Sequence, residues 1–163
     1  MTPQTGLGPT GPHGPDEQTR DAGALVVGQE CPLGSYEITT AEILEFGRRW
    51  DPQFFHTDPV AAARSAFGSL VASGIQTLAV FQRLCVTAQY SSWKMVAGKG
   101  VRDLRFLAPV RPGDVLTGRF VITDKVPDGR GRATVSLDGE LRNQEDVAVL
   151  ALTVDCVVAM AAS

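Results

Sequence analysis

The sequence is short of the side chains that metal and redox sites need. Among its 163 residues only two are histidine and three are cysteine. The cysteines, Cys31, Cys85 and Cys156, form no Cys-x-x-Cys pair. One histidine, His13, lies in a Gly/Pro-rich leading segment, which leaves His56 alone in the folded part. A metal centre takes three or four ligands, so none is expected. An odd set of unpaired cysteines is expected to be buried reduced thiols, which points to the cytoplasm. A nucleophilic cysteine is the sharper alternative, but it would need His56, for which a better use appears below. There is no G-x-G-x-x-G run, no P-loop and no internal repeat, and no cofactor is expected. No apolar run reaches the roughly 18 residues of a spanning helix. The opening MTPQTGLGPTGPHGP lacks the apolar stretch of a secretory signal. A net charge of -3 argues against nucleic acid or an anionic membrane as the main partner, since both call for clustered Lys and Arg. A local basic patch for a small phosphorylated ligand stays open.

What is present divides into a tail and a domain. Residues 1–23 are rich in Gly, Pro, Thr and Gln and have few large apolar groups to offset chain entropy, so disorder is expected there. A single domain is expected over 24–163, with folding from about Leu25. A short strand is read at Ser35–Thr39. Thr39 and Glu42 make a capping box for a helix over 41–49. Asp58-Pro59 starts a second helix through VAAARSAF, ended by Gly68. Ser73 and Gln76 make another capping box, opening a long helix to about Tyr90 that is apolar nearly all round and therefore buried. Ser91–Gly98 is read as a loop. Beyond it the period turns to that of strands: VRDLRFLAPV, VLTGRFVITDKV, RATVSLDGELRN and VAVLALTVDCVVAM, separated by turns at 111–114, 127–129 and 143–146. The last run is apolar on both faces and reads as a central strand. The fold class is α+β, an antiparallel sheet wrapped around one long helix, with a plain sandwich of helix on sheet as a near equivalent.

The chemistry concentrates in WDPQFFHTDP, residues 50–59. Asp51 and His56 supply one acid and one imidazole, a pair suited to holding and activating water. Pro52 and the aromatics stiffen the segment, and Phe54 and Phe55 offer a low-dielectric wall. Asp58 is occupied as a helix cap. The plainer reading makes Asp51 a turn residue and His56 a half-buried cap. Ser73-Gly74, at the start of the long helix, could present a free N–H at the positive end of the dipole, where a carbonyl oxygen would gain stabilisation as charge develops. Gly74 could equally serve close helix–sheet packing.

Four segments in order, DPQFFHTDP (51–59), FGSLVASGIQT (67–77), LRFLAPVRPGD (104–114) and the Asn143-Gln144 turn, together resemble the MaoC-like dehydratases, relatives of the (R)-specific enoyl-CoA hydratases. The resemblance covers about residues 25–159. It implies the hotdog fold, syn hydration of a trans-2-enoyl-CoA or the reverse dehydration, and a homodimer. By position, Asp51 is implied as general base, His56 as the group that orients the water and shares the proton, and Gly74 N–H as the oxyanion donor. Ser73, Phe54 and Phe55 are implied at the substrate. Ser73-Gly74 stands where several hydratases have His-Gly, and Gln82 where they have a helix serine. The phosphates of an acyl-CoA would need cations, and Lys99, Arg102 and Arg105 qualify, although each also reads as a solvated strand charge. Two rivals remain. One is an acyl-CoA thioesterase, disfavoured because no Asp or Glu lies between Ser73 and Tyr90. The other is a non-catalytic hotdog partner subunit, disfavoured because the Asp/His pair is kept.

Overall fold

The computed structural model describes residues 18–161. Five strands, Glu30–Glu37 (β1), Met95–Phe106 (β2), Val115–Pro127 (β3), Arg132–Arg142 (β4) and Ala148–Ala159 (β5), form one antiparallel sheet. Its order is β1-β3-β4-β5-β2, so the doubly apolar β5 is an interior strand, as its composition implied. Four helices precede β2: Thr40–Trp50 (α1), Phe54–Thr57 (α2), Pro59–Ala62 (α3) and Gly74–Ala88 (α4). The long helix α4 turns Gln76, Thr77, Val80, Phe81, Leu84 and Cys85 inward. The sheet meets it with alternating residues of β4 and β5, among them Val135, Leu137, Leu141, Leu152 and Val154, all buried. This is the α+β plan that the sequence pattern calls for.

One close approach of helix to sheet depends on Gly139. A methyl group built there would overlap the Phe81 ring, which is 1% exposed and has nowhere to move. The absent side chain on β4 is thus the space that Phe81 fills.

Several boundaries differ from expectation, each for a local reason. Strand β1 starts at Glu30, five residues ahead of the expected strand, and includes Pro32 and Gly34. It is an edge strand, where a missing N–H costs no ladder bond, and its register shifts between Pro32 and Gly34. Strand β2 takes in residues 95–98 of the expected loop. It is an edge strand that is exposed on both faces, so no burial alternation marks it. The helix after Asp58 stops at Ala62, where the Ser65 hydroxyl donates to the Ala62 carbonyl at 2.6 Å. The one-turn helix α2 was not anticipated. The Thr39–Glu42 capping box forms in full, whereas the Ser73–Gln76 box does not. Gln76 lies on the buried face of α4 and cannot turn back to the cap. Helix α4 is buried on one side only, with Ile75 54% and Val86 40% exposed on the other.

The domain also begins earlier than Leu25. The N–H groups of Thr19 and Arg20 donate to the Ser92 carbonyl, Lys94 N–H donates to Arg20, and Ala22 is fully buried. Residues 18–23 therefore pack against the domain through backbone bonds that composition does not reveal; the rest of the expected disordered tail lies outside the described residues. Cys31, Cys85 and Cys156 are free and buried, and burial pushes the Cys85 and Cys156 thiols up to about 12, which leaves no reactive thiolate. Among the described residues no helix is long and apolar enough to cross a membrane.

Gly139→Ala should destabilise the protein by about 1–3 kcal/mol through overpacking against Phe81. A lower urea midpoint with unchanged slope is the expected outcome; an unchanged midpoint would show that the Phe81 ring has room.

Candidate active site

Three chain segments converge on Asp51. Helix α1 ends there, with the Asp51 N–H donating to the Gly47 carbonyl at 3.0 Å. The residue before a proline is turned out of helical geometry, and Asp51 adopts φ -149° and ψ 74° ahead of Pro52. Gln53 then starts the single turn of α2, which carries His56. Asp58 caps α3 through the N–H groups of Val60 and Ala61, so it is spent structurally, as expected. The third segment is the start of α4: the Ser73 hydroxyl, 1% exposed, donates to Asp51 Oδ2 at 2.7 Å.

His56 is 5% exposed, and its Nδ1 lies 2.7 Å from the Val71 carbonyl oxygen. A carbonyl can only accept, so Nδ1 carries the proton and Nε2 faces Asp51 Oδ2 at 3.4 Å. Phe55 stands edge-on to the imidazole, ring centroids 4.5 Å apart. Gln53 Nε2 donates to the other oxygen, Asp51 Oδ1, at 3.0 Å. The Ser73 and Gln53 hydrogen bonds hold the Asp51 carboxyl below the usual carboxylate range against the opposing effect of burial.

These groups line a cavity of about 450 Å³ together with Phe67, Thr77, Phe106 and the apolar wall Val71, Val110 and Val149. Gly74 lines it as well. Ser73 Oγ takes the Ile75 N–H and the Ser73 carbonyl takes the Thr77 N–H, which leaves the Gly74 N–H without an acceptor among the described residues. A methyl group at Gly74 would stand 2.7 Å from Phe106 ring carbons, so this glycine permits close packing against β2.

The structure gathers Asp51, His56, Phe55, Ser73 and Gly74 and sets the remaining expected residues apart. Phe54 is 50% exposed and does not line the cavity; on the one-turn helix it points away while Phe55 points in. Ser73 lines the cavity, and its hydroxyl donates to Asp51 and so supports the carboxylate. Lys99, Arg102 and Arg105 on β2 do not line the cavity either. Lys99 donates to Thr134, Arg102 is held by the Asp155 carboxylate, and Arg105 lies exposed one residue before Phe106. Three contributors had not been singled out from sequence: Gln53, the Val71 carbonyl and Gly47. The last had a signal, since glycine inside a helix costs about 1 kcal/mol relative to alanine and calls for a reason. The reason is space. A methyl group at Gly47 would lie 2.6 Å from the His56 carbonyl oxygen and 3.0 Å from His56 Cβ.

Comparison with known proteins places the chain in a family. Residues 26–144 match the family model described as "MaoC like domain". The chain belongs to the MaoC-like dehydratase family. It is 29% identical over 125 residues to an uncharacterized protein, YdeM, of Bacillus subtilis, covering 77% of this chain and 89% of that one. It is 32% identical over 108 residues to 3-hydroxyacyl-thioester dehydratase Z of Mycobacterium tuberculosis, covering 62% and 69%. The crystal structure of a MaoC-like dehydratase from Rhodospirillum rubrum superposes with a TM-score of 0.79 at 32% identity, over 88% of this chain and 99% of that one. Matches to two other curated relatives span only 48% and 26% of their lengths. The sheet and helix of this MaoC-like chain are the hotdog fold.

Two outcomes test the support around Asp51. Gly47→Ala should gain about 1 kcal/mol in helix propensity, yet the collision with the His56 backbone should reverse the sign and lower the melting temperature. A rise in melting temperature would show that the two segments have slack. Ser73→Ala removes the main hydrogen bond that lowers the Asp51 pKa, so that pKa should rise. If Asp51 must be ionised for activity, the acid limb of the pH–rate profile should move to higher pH; an unmoved limb would show that Asp51 does not set it.

Proposed function

We propose that this MaoC-like protein hydrates a trans-2-enoyl-CoA to the 3-hydroxyacyl thioester, or runs the reverse dehydration. The observation that carries the proposal is the pairing of Asp51 Oδ2 with the unprotonated Nε2 of His56 at 3.4 Å on the wall of a cavity that also holds the unpartnered Gly74 N–H. One water in front of the pair can donate a hydrogen bond to each and turn a lone pair toward C3 of the substrate. As oxygen bonds to C3, the water proton passes to Asp51. The electron pair of the C2=C3 bond moves toward the thioester, and the charge on its oxygen is held by the Gly74 N–H at the helix start. The proton then returns to C2 through the Asp51–His56 pair on the same face, which regenerates the carboxylate. Ser73 and Gln53 keep Asp51 ionised and aimed, at the cost of some basicity. Apolar walls from Phe55, Phe67, Val71 and Val110 exclude bulk water around the acyl chain.

The partner we propose is an acyl-CoA thioester, with a second copy of the chain completing the site. Strand β2 offers an open sheet edge, and Ile75, Phe106 and Leu107 at the cavity are 54%, 51% and 46% exposed. A homodimer through β2 would cover them. Such pairing also leaves open where the phosphates bind, since Lys99, Arg102 and Arg105 lie on that same strand.

Enoyl-thioester absorbance, followed with crotonyl-CoA and longer, branched and dicarboxylic analogues, tests the reading. Wild type should consume the absorbance, and Asp51→Asn and His56→Ala should each lose at least about a hundredfold in rate while remaining folded. A folded Asp51→Asn protein with full activity would sink the assignment. Release of free thiol without loss of the double bond would point to thioester hydrolysis instead.

A further inference from the structure

Three buried side-chain atoms lack a hydrogen-bond partner among the described residues: Gln76 Oε1, Tyr90 OH and Trp93 Nε1. Tyr90 and Trp93 belong to the apolar core and line neither cavity. Gln76, only 6% exposed, lines a second cavity of about 270 Å³ between α1 and α4. Helix α1 contributes Phe46, Arg49 and Trp50, and helix α4 contributes Gln76, Val80 and Arg83. These positions fall on one face of each helix, the faces that would ordinarily interlock. Here they enclose space instead.

The lining has a definite chemistry. The Arg49 guanidinium lies over the Trp50 ring, 5.1 Å from its centre, and Arg83 lies over Tyr36 at 5.5 Å. Stacking uses the flat face of a guanidinium and leaves its N–H edge free for a planar anion. Neither arginine has a carboxylate within 4.0 Å among the described residues. Both acids in the lining oppose an anion: Glu42, held ionised while it accepts from Tyr36 and Thr39, and Glu45. The Gln76 amide can be turned over without changing its shape, which places an N–H donor at the buried position. In either orientation one polar end of the amide is left without a partner among the described residues.

We propose that the cavity between α1 and α4 binds a carboxylate carried on a short apolar chain. Arg49 and Arg83 take the carboxylate, the Gln76 amide donates to it, and Phe46 and Val80 cover the chain. The two cavities share no lining residue, although Trp50 adjoins Asp51 and Gln76 lies between Ile75 and Thr77 of the catalytic wall. The ligand is therefore a free carboxylic acid rather than the far end of a substrate seated at Asp51. It would touch the last turn of α1 and the first turn of α4, the two turns that carry Asp51 and Gly74.

The test is a titration with hexanoate, with hexan-1-ol as the uncharged control, read by nuclear magnetic resonance at the Gln76 side-chain amide and the Trp50 indole. Hexanoate should give saturable shifts at both groups, with a dissociation constant on the order of 1 mM, and hexan-1-ol should bind at least about tenfold more weakly. Arg49→Gln and Arg83→Gln, both at exposed positions that should not disturb folding, should each weaken hexanoate severalfold. Glu45→Gln should strengthen it, and Asp51→Asn should leave it unchanged. Equal binding of acid and alcohol, indifference to both arginine variants, or shifts confined to Phe106 and Thr77 would overturn the proposal. In turnover assays Arg83→Gln should treat plain and carboxyl-tipped enoyl thioesters alike; a selective loss on the tipped one would overturn the assignment to a free acid. Binding is read without turnover, so a blank hydration assay leaves this inference standing.

Discussion

One hydrogen bond ties the end of one helix to the beginning of another, and the candidate active site is built around it. Ser73 is the N-cap of α4 and Asp51 the C-cap of α1, and the Ser73 hydroxyl donates to the Asp51 carboxylate at 2.7 Å. The same hydroxyl accepts the Ile75 N–H, so it is fixed from both sides. His56 is fixed separately, by the Val71 carbonyl on its ring and by Gly47 behind its backbone. An acid and an imidazole that arrive from different helices therefore meet without either depending on its own rotamer freedom. The sheet stands behind this arrangement: Phe81 seated over Gly139 holds α4 against β4, and α4 in turn holds Ser73 and Gly74 in place.

What could be read from sequence follows the range of the physics that determines it. Periodicity and capping are local, and they located α1, α4, the later part of β2, and β3 to β5. The Asp51–His56 pair was legible because proline, aromatics and a separate capping acid crowd into ten residues. Long-range geometry was not legible. Phe54 and Phe55 are identical in type and adjacent, and only the single turn of α2 decides which one faces the cavity. The Ser73–Gln76 capping box fits its motif and still fails, because burial of the helix face outweighs a surface hydrogen bond. The start of β2, residues 95–98, reads as loop because neither face of that strand is buried in one chain. Residues 18–23 looked like tail because their attachment uses backbone groups, which every residue has.

The positive end of α4 is shared between two tasks, and the division explains the Ser73-Gly74 pair. A carboxylate near a helix start is stabilised by the free N–H groups and the dipole there, whereas the C-terminus of α1 acts on Asp51 in the opposite sense. The net shift of Asp51 is downward, so the Ser73 and Gln53 hydrogen bonds prevail. If Asp51 took the Gly74 N–H directly, no donor would remain for a thioester oxygen. The serine hydroxyl serves instead as a relay: it satisfies the carboxylate sideways and leaves the glycine N–H open. A cap residue without a donor hydrogen could not do this, since Asp or an inward Asn oxygen at position 73 would repel Asp51. Serine before glycine thus lets one hydroxyl lower the Asp51 pKa while the Gly74 N–H stays without an acceptor among the described residues.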